Sequence, residues 1–378
     1  MRGTALLALT FLVCAGTSAS AGMYNTSEPD EEKLGRDNFT LVFRDTLLRL
    51  RTIGMPKVPL DNPLRQRYRL QAALASRIIP PDLTTEQKLN LSAVLIRCKK
   101  ADDAKNLLEP LSRREPKNFL VLGNLATAYQ QVGLERRAID TLEQALPLWP
   151  QNLGDVPEPM RTYLQPIATR ADSYNLFHKA ESYQLKLLKL RAREGLAGKR
   201  SGFETVDALF DDGKNPPGPV KFVGAGGKFA PGQLAPEEKA KLPKDAIEIV
   251  QQLLIWLPED ARLYWLLGEL YNAQGGSKSI HTARMIFDEL AGYDGLGVRA
   301  AELAEHRMAL RNYHDPETDE TASFDLSKGL ENGGKKQEEQ GPRIDWQSLG
   351  VGFGAGVLIA IFGMWQIREI RRRLQKRG

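Results

Sequence analysis

The sequence predicts an all-α protein: an α-solenoid of helical hairpins, with a small β-hairpin or loop insertion and one C-terminal transmembrane helix. Leu and Ala dominate the 42% of residues that are hydrophobic, and β-branched residues are sparse, which favours helices. Small, aromatic and leucine residues recur at a fixed interval, which is typical of helical repeats. The uncharged run Leu349–Ile367 is close to the roughly 20 apolar residues that cross a bilayer.

The N-terminal segment has the parts of a secretory signal peptide. Arg2 precedes the apolar run Ala5–Ala15, and the small residues Ala19–Ala21 form an Ala-x-Ala exit. This order predicts a signal peptide over residues 1–21 with cleavage after its last residue, and a buried core helix is the alternative. Residues 22–38 have a loose, polar composition, so we expect a flexible N-terminal segment there.

An internal period marks the middle of the chain. Pro116 and Pro150 are 34 residues apart, and so are Ala104 and Ala138. In such a unit two helices pack at their small residues, and the proline ends the second helix. The unit 119–152 carries the pattern at Leu122, Leu125, Ala126, Tyr129, Gly133, Ala138, Leu142, Ala145, Leu146 and Pro150. A later copy carries it at Tyr264, Leu267, Gly268, Tyr271, Gly275, Ala283 and Phe287.

These residues resemble the tetratricopeptide repeat family over roughly residues 85–312. The resemblance implies stacked helical hairpins over residues 85–200 and again over residues 243–314, where a closing helix ends the second block. Residues 39–84 are predicted to form helices that cap the front of the repeats. A helical bundle without repeats is the alternative.

Two units depart from the repeat pattern. The unit Thr85–Asn118 has Lys99 at the position of the turn glycine. The unit Met160–Arg193 lacks the aromatic residue of the first helix, because Ala171 stands at that position. We therefore expect the hairpin over Met160–Arg193 to follow the template least closely.

Residues 201–242 interrupt the repeats. The prolines and glycines of Asn215–Pro219 and Gly224–Gly227 exclude a long helix. Two short extended runs around a glycine turn predict a β-hairpin inserted into the solenoid. Such an insertion either contacts a partner or is a surface loop without a binding role.

The C-terminal residues predict a membrane anchor. Residues 315–345 are rich in charged residues and glycine and are predicted to be a disordered stalk. Residues 346–367 are predicted to form a transmembrane helix, and the basic residues of 368–378 follow it as a cytoplasmic tail. We therefore expect a single-pass membrane protein with its body on the extracytoplasmic side, in a periplasm.

The charge of the chain lies mainly in that tail. Six of the last eleven residues are Lys or Arg, against a formal net charge of +5 for the whole chain, so nucleic acid is not an expected partner. Four glycines inside the membrane helix are spaced so that a second helix, including that of a second copy, could approach closely: Gly350, Gly352, Gly354 and Gly356.

No pattern of a catalytic, cofactor or metal site stands out in the sequence, so we expect no enzyme activity and no cofactor. The four histidines lack the spacing of metal ligands, and we expect them to be exposed or partly packed helix residues. Cys98 lies beside basic residues that could lower its pKa, although an incidental thiol is the plainer interpretation. A hydrolase or transferase would gain support only from a cleft that gathers Asp211, Asp212 and Lys228.

The resemblance implies that a protein or peptide ligand lies in a concave groove lined by the first helix of each unit. The residues at groove-facing positions are Asn90, Arg97, Asn124, Thr127, Gln130, Gln131, Arg262, Trp265, Glu269 and Asn272. Amide side chains there can bind the backbone of an extended peptide.

The leading hypothesis is therefore a membrane-anchored scaffold or adaptor that holds a partner protein without catalysis. The alternative is an accessory subunit of a membrane enzyme or of a secretion or envelope complex. Such a subunit would contact its complex through the glycines of the transmembrane helix.

Overall fold

The computed structural model describes part of the chain: residues 24–25, 43–54, 62–77, 83–165, 171–196, 205–214, 218–292, 296 and 298–313. The predicted signal peptide, stalk, transmembrane helix with its four glycines, and basic tail lie outside these residues. Within the described ranges, no helix combines the length and the apolar character that crossing a membrane requires.

The described residues are helical, which confirms the all-α prediction. The α-helices are α1 (Arg44–Ile53), α2 (Pro63–Arg77), α3 (Thr85–Arg97), α4 (Ala101–Arg114), α5 (Phe119–Gln131), α6 (Glu135–Ala145), α7 (Met160–Leu164), α8 (Ala171–Leu196), α9 (Pro236–Lys239), α10 (Ala246–Trp256), α11 (Ala261–Gln274), α12 (Ser277–Ala291) and α13 (Ala301–Asn312). From α1 to α6, and again from α10 to α13, consecutive helices pack against each other. Helix α8 packs against both α6 and α10.

Three helical hairpins turn at a residue with positive φ. Gly133 (φ 77°) separates α5 from α6, and Gly275 (φ 76°) separates α11 from α12. Lys99 (φ 60°) takes the same place between α3 and α4. Glycine adopts this conformation without a steric cost, whereas lysine does not. The turn positions marked by the sequence period are therefore turns in the structure, including the one that lacks glycine.

Helices α11 and α12 approach closely at a small residue. A Cβ atom on Gly268 would lie 2.3 Å from Cε1 of Phe287, whose side chain is fully buried. Any side chain larger than hydrogen at this position therefore collides with the neighbouring helix. The glycine of the sequence pattern thus sets the spacing of this hairpin.

Side-chain caps fix where two of these hairpins begin. The Asn118 carboxamide oxygen accepts hydrogen bonds from the backbone N–H groups of Leu120 and Val121 at the start of α5. The Asp260 carboxylate accepts one from the N–H of Leu263 at the start of α11. These bonds satisfy donors that the first turn of a helix leaves free.

Helix α1 packs against the later helices through a buried ion pair. Arg51 Nη1 lies 2.7 Å from a carboxylate oxygen of Glu289 on α12, and its side chain is 6% exposed. The Arg51 guanidinium also lies 4.4 Å from the ring centroid of Tyr264, whose hydroxyl donates to Glu289. The N-terminal helices therefore contact the second repeat block directly.

The hairpin predicted over Met160–Arg193 is wrong. Helix α8 runs without a break through Asn175, the position at which the template requires a turn when Ala171 stands at its tyrosine position. No glycine stands there, and the Tyr174 side chain is buried with its hydroxyl donating to the carbonyl of Pro150. Because nothing interrupts the helix, one long helix replaces the second half of the expected hairpin.

The β-hairpin predicted within residues 201–242 is not confirmed. In the described residues of this segment, 205–214 and 218–242, no strand forms. Only two isolated antiparallel bridges occur, Asp211 with Pro219 and Ala230 with Gln233. On either side of the Asp211–Pro219 bridge, the N–H of Asp212 donates to the Gly218 carbonyl and the N–H of Val220 donates to the Phe210 carbonyl.

Candidate functional site

The early groove residues converge on Asn124, in the middle of α5. The Asn124 side chain is fully buried, and its oxygen Oδ1 accepts a hydrogen bond of 2.7 Å from the backbone N–H of Tyr24. Its nitrogen Nδ2 lies 3.4 Å from the carbonyl oxygen of the same Tyr24. Asn124 therefore binds both backbone groups of one residue, as one strand binds its neighbour in a β-sheet.

The earlier helix orients the Asn124 amide. Its Nδ2 atom also lies 3.1 Å from Oγ of Ser92 and 3.3 Å from the carbonyl oxygen of Leu89, both on α3. The oxygen must face Tyr24, because a backbone N–H only donates. The packing of α3 on α5 thus holds the amide in place to bind the backbone of Tyr24.

The side chain of Tyr24 fills a pocket beside Asn124. Its hydroxyl donates a hydrogen bond of 2.9 Å to Glu181 Oε1, and its ring centroid lies 5.8 Å from that of Trp149. A Cβ atom on Gly123 would lie 2.9 Å from the ring, so glycine leaves room for it. The pocket also contains Tyr163, whose hydroxyl donates to the Tyr24 carbonyl at 2.7 Å. We call the residues Gly123, Asn124, Trp149, Tyr163 and Glu181 the Tyr24 pocket.

Tyr24 and Asn25 are therefore ordered and buried, whereas the sequence predicted a flexible N-terminal segment. Asn25 is 0% exposed, and its Nδ2 donates to the hydroxyl of Tyr68 on α2 at 3.0 Å. Tyr24 thus binds Asn124, one of the residues that the resemblance assigned to a ligand groove. A polar composition predicts looseness only when nothing else in the protein satisfies the polar groups.

The other early groove residues lie at different distances from the pocket. Asn90 Oδ1 is 3.0 Å from the Tyr163 hydroxyl, so it is a second acceptor for the one proton that this hydroxyl can donate. The Gln184 amide donates to Gln130 Oε1 at 3.0 Å and lies 3.5 Å from Oγ1 of the buried Thr127. Gln131 is exposed, and Arg97 is buried with its guanidinium donating to the Trp256 carbonyl. Arg97 therefore joins α3 to α10 and lies outside the pocket.

Sequence reasoning missed four pocket residues: Gly123, Trp149, Tyr163 and Glu181. Glu181 left a signal, because the apolar residues Phe177, Ala180 and Leu188 flank it on one face of α8. A carboxylate on such a face needs a buried donor. Tyr24 itself left none, since its contacts join residues more than 95 positions apart.

The late groove residues contact the insertion instead of solvent. Asn272 Oδ1 accepts a hydrogen bond of 2.8 Å from the backbone N–H of Gly232, and its Nδ2 donates to the Ala230 carbonyl at 3.2 Å. At Asn272 the chain's own insertion therefore occupies the place that the resemblance assigned to a ligand. The insertion is held by the same kind of amide–backbone contact that holds Tyr24.

Glu269 is a fully buried acid on the same helix as Asn272. Trp265 Nε1 donates to Glu269 Oε1 at 2.7 Å, and His306 Nδ1 on α13 lies 2.7 Å from the same oxygen. Burial raises the pKa of Glu269, and His306 opposes that shift. The Phe229 ring stacks on His306 at 3.8 Å between centroids. His306 is therefore packed more tightly than the sequence predicted.

Arg262 belongs to a separate ionic network. Its guanidinium binds Glu194 at 2.6 Å and Asp207 at 2.9 Å. Arg191 binds Asp207 and Asp260, and these carboxylates raise the pKa of Arg191 although burial acts against them. The network joins α8, the insertion and the start of α11, so Arg262 is a structural residue.

The residues weighed for chemistry are held apart or already bonded. Burial raises the pKa of Cys98, opposite to the direction expected from its basic neighbours, whose charges are the smaller effect. Asp211 pairs with Lys186, Asp212 accepts from the backbone N–H groups of Lys214 and Gly218, and Lys228 is exposed. Across the residues that are described, no group of His, Cys, Asp and Glu could hold a metal ion.

Comparisons with protein-family models, with curated proteins and with solved structures return no match for this chain.

Proposed function

We propose that this chain is a membrane-anchored, extracytoplasmic scaffold of the tetratricopeptide type, which holds an extended segment of a partner protein in the Tyr24 pocket. The turns at Gly133 and Gly275 and the close approach at Gly268 support the repeat assignment. The predicted signal peptide and apolar C-terminal run support the anchored topology.

One observation carries the binding proposal. Asn124 pairs with both the N–H and the carbonyl of a single residue from a segment 100 positions away. Every amino acid except proline presents these two groups, so the contact recognises extended backbone without regard to sequence. An amide prepared in this way is suited to peptide capture.

The test is a crosslinking pull-down from native membranes with the full chain. Asn124→Ala removes both backbone contacts, whereas Gln131→Ala changes an exposed amide on the same helix and is the matched control. We expect specific partners to be lost with Asn124→Ala and kept with Gln131→Ala. Thermal unfolding of both variants separates lost binding from lost folding.

Two other outcomes argue against the groove. Partners kept in both variants would contradict binding at Asn124. If these partners are lost when Gly352 and Gly356 are changed to leucine, contact through the membrane helix, as in an accessory subunit, replaces the scaffold proposal.

A further inference from the structure

We infer that the Tyr24 pocket selects a tyrosine in the partner's extended segment, and that the chain's own Tyr24 competes for that place. The inference rests on the proposed function, because it specifies what the proposed groove binds. It concerns selectivity and self-occupancy, which the Asn124 contacts alone do not determine.

The space beside Gly123 admits a flat ring. The nearest ring carbon of Tyr24 is 2.9 Å from where a Cβ of residue 123 would lie, and the Trp149 ring centroid lies 5.8 Å from that of Tyr24. Trp149 itself packs on Phe119, with 4.5 Å between their ring centroids, so it is held in position. A prearranged aromatic wall of this kind favours an aromatic ring over an aliphatic side chain.

Glu181 distinguishes tyrosine from the other aromatic residues. Its side chain belongs to a residue only 1% exposed, and its Oε1 accepts from the Tyr24 hydroxyl at 2.9 Å. A phenylalanine in the pocket supplies no donor, which leaves the buried acid without that bond. A phosphotyrosine would bring negative charge against a buried carboxylate, which is unfavourable. The pocket therefore fits an unmodified tyrosine.

The chain's own segment uses the same contacts that a partner would use. Asn124 and Tyr163 bind the backbone of Tyr24, and Asn25 reaches Tyr68 on α2. Because Tyr24 is covalently joined to the protein, it is always present near the pocket. A segment that fills the pocket nine-tenths of the time weakens the apparent affinity for any other ligand about tenfold.

The experiment measures fluorescence anisotropy of a labelled synthetic peptide, Gly-Met-Tyr-Asn-Thr-Ser-Glu-Pro, which repeats residues 22–29. The full chain in detergent is titrated as wild type and as Tyr24→Ala. We expect Tyr24→Ala to bind the probe about tenfold more tightly or better. Adding Gly123→Ala to Tyr24→Ala should abolish binding, because the new Cβ collides with the probe's ring while alanine favours helix α5.

Two further probes test selectivity on the Tyr24→Ala chain. Replacing the probe's tyrosine with phenylalanine should weaken binding roughly tenfold or more, and the phosphotyrosine probe should bind no better than the phenylalanine one. Equal binding of the tyrosine and phenylalanine probes would overturn the role of Glu181. Equal affinity of wild type and Tyr24→Ala would overturn the competition.

A second route keeps the test valid if Tyr24→Ala unfolds. A protease site placed within residues 26–42 of the wild-type chain changes none of the residues of the Tyr24 pocket. Cleavage at this site separates the peptide that carries Tyr24 from the rest of the chain, and gel filtration then removes that peptide. The cut protein should bind the probe as Tyr24→Ala is expected to, and equal binding before and after cutting would contradict competition. Failure of the proposed function is separate, because it appears as membrane partners that do not depend on Asn124.

Discussion

His306 on α13 lies 2.7 Å from Glu269 on α11, and both side chains are buried under the insertion. The ring of Phe229 covers His306 from the insertion side. One buried acid thus joins the closing helix to the second repeat block. Its protonation therefore affects how firmly the end of the described chain is packed.

The raised pKa of Glu269 predicts a pH dependence of stability. A carboxyl whose folded pKa exceeds its unfolded value favours folding below the unfolded pKa, near 4.5, and loses that contribution as pH rises through the folded pKa. Glu269→Gln removes the titration, so its free energy of unfolding should gain on that of wild type as pH rises above about 4.5. Urea unfolding at several pH values measures this difference.

The control for that experiment is Gln274→Ala, which changes an exposed side chain without an ionisable group on α11, the helix that carries Glu269. Its difference from wild type should stay nearly constant with pH. If the free energies of unfolding of Glu269→Gln and of wild type change in parallel with pH, Glu269 does not titrate differently in the folded state.

Gly268→Ala should destabilise the protein by about 1–3 kcal/mol, because its Cβ would overlap the buried ring of Phe287. Gly195→Ala is the matched control, since it also lies in a helix but meets no atom within 4 Å. We expect the control to be neutral or to stabilise by up to about 1 kcal/mol. Thermal unfolding compares the two, and equal effects would contradict the close approach of α11 and α12.

Glu289→Ala should lower the free energy of unfolding by about 3–5 kcal/mol, because it leaves the buried Arg51 guanidinium without its carboxylate. The control, Asp45→Ala, breaks an exposed ion pair with Arg49 on α1, the helix that carries Arg51. It should lower the free energy of unfolding by less than about 1 kcal/mol. Chemical denaturation of both variants measures the difference. Similar small losses would mean that α1 does not pack on the second repeat block as described.

Protein isolated from membranes should begin at Gly22, as the predicted cleavage after Ala21 requires. Tyr24 would then be the third residue of the mature chain. Intact mass measurement of the purified protein tests this directly. A mass that includes residues 1–21 would contradict the predicted processing and the route to the extracytoplasmic side.

The sequence predicted the helices well where its own period repeats. Gly133, Gly275 and even Lys99 mark turns, because a tight hairpin needs a residue with positive φ at a fixed place. The period did not extend to α8, where Asn175 stands at the position of the turn glycine and the helix continues. Local signals were sufficient where local geometry decides the structure.

The candidate site was less predictable, because its contacts join distant parts of the chain. Asn124 and Asn272 were identified as groove residues that can bind backbone, and both do so. Their partners are Tyr24, in the segment that the sequence predicts to be flexible, and Gly232, in the insertion. Nothing in the local sequence predicts that Tyr24 and Gly232 bind these asparagines, since only the packed protein brings them together.

Amide hydrogen exchange at Tyr24 tests most directly whether Asn124 holds the backbone of this residue. The Tyr24 N–H is buried and bonded to Asn124 Oδ1, so it should exchange slowly in the wild-type chain. Asn124→Ala should release it to the rate of an unstructured peptide while amides of α12 keep their protection. A Tyr24 amide that already exchanges at the unstructured rate in the wild type would contradict the account.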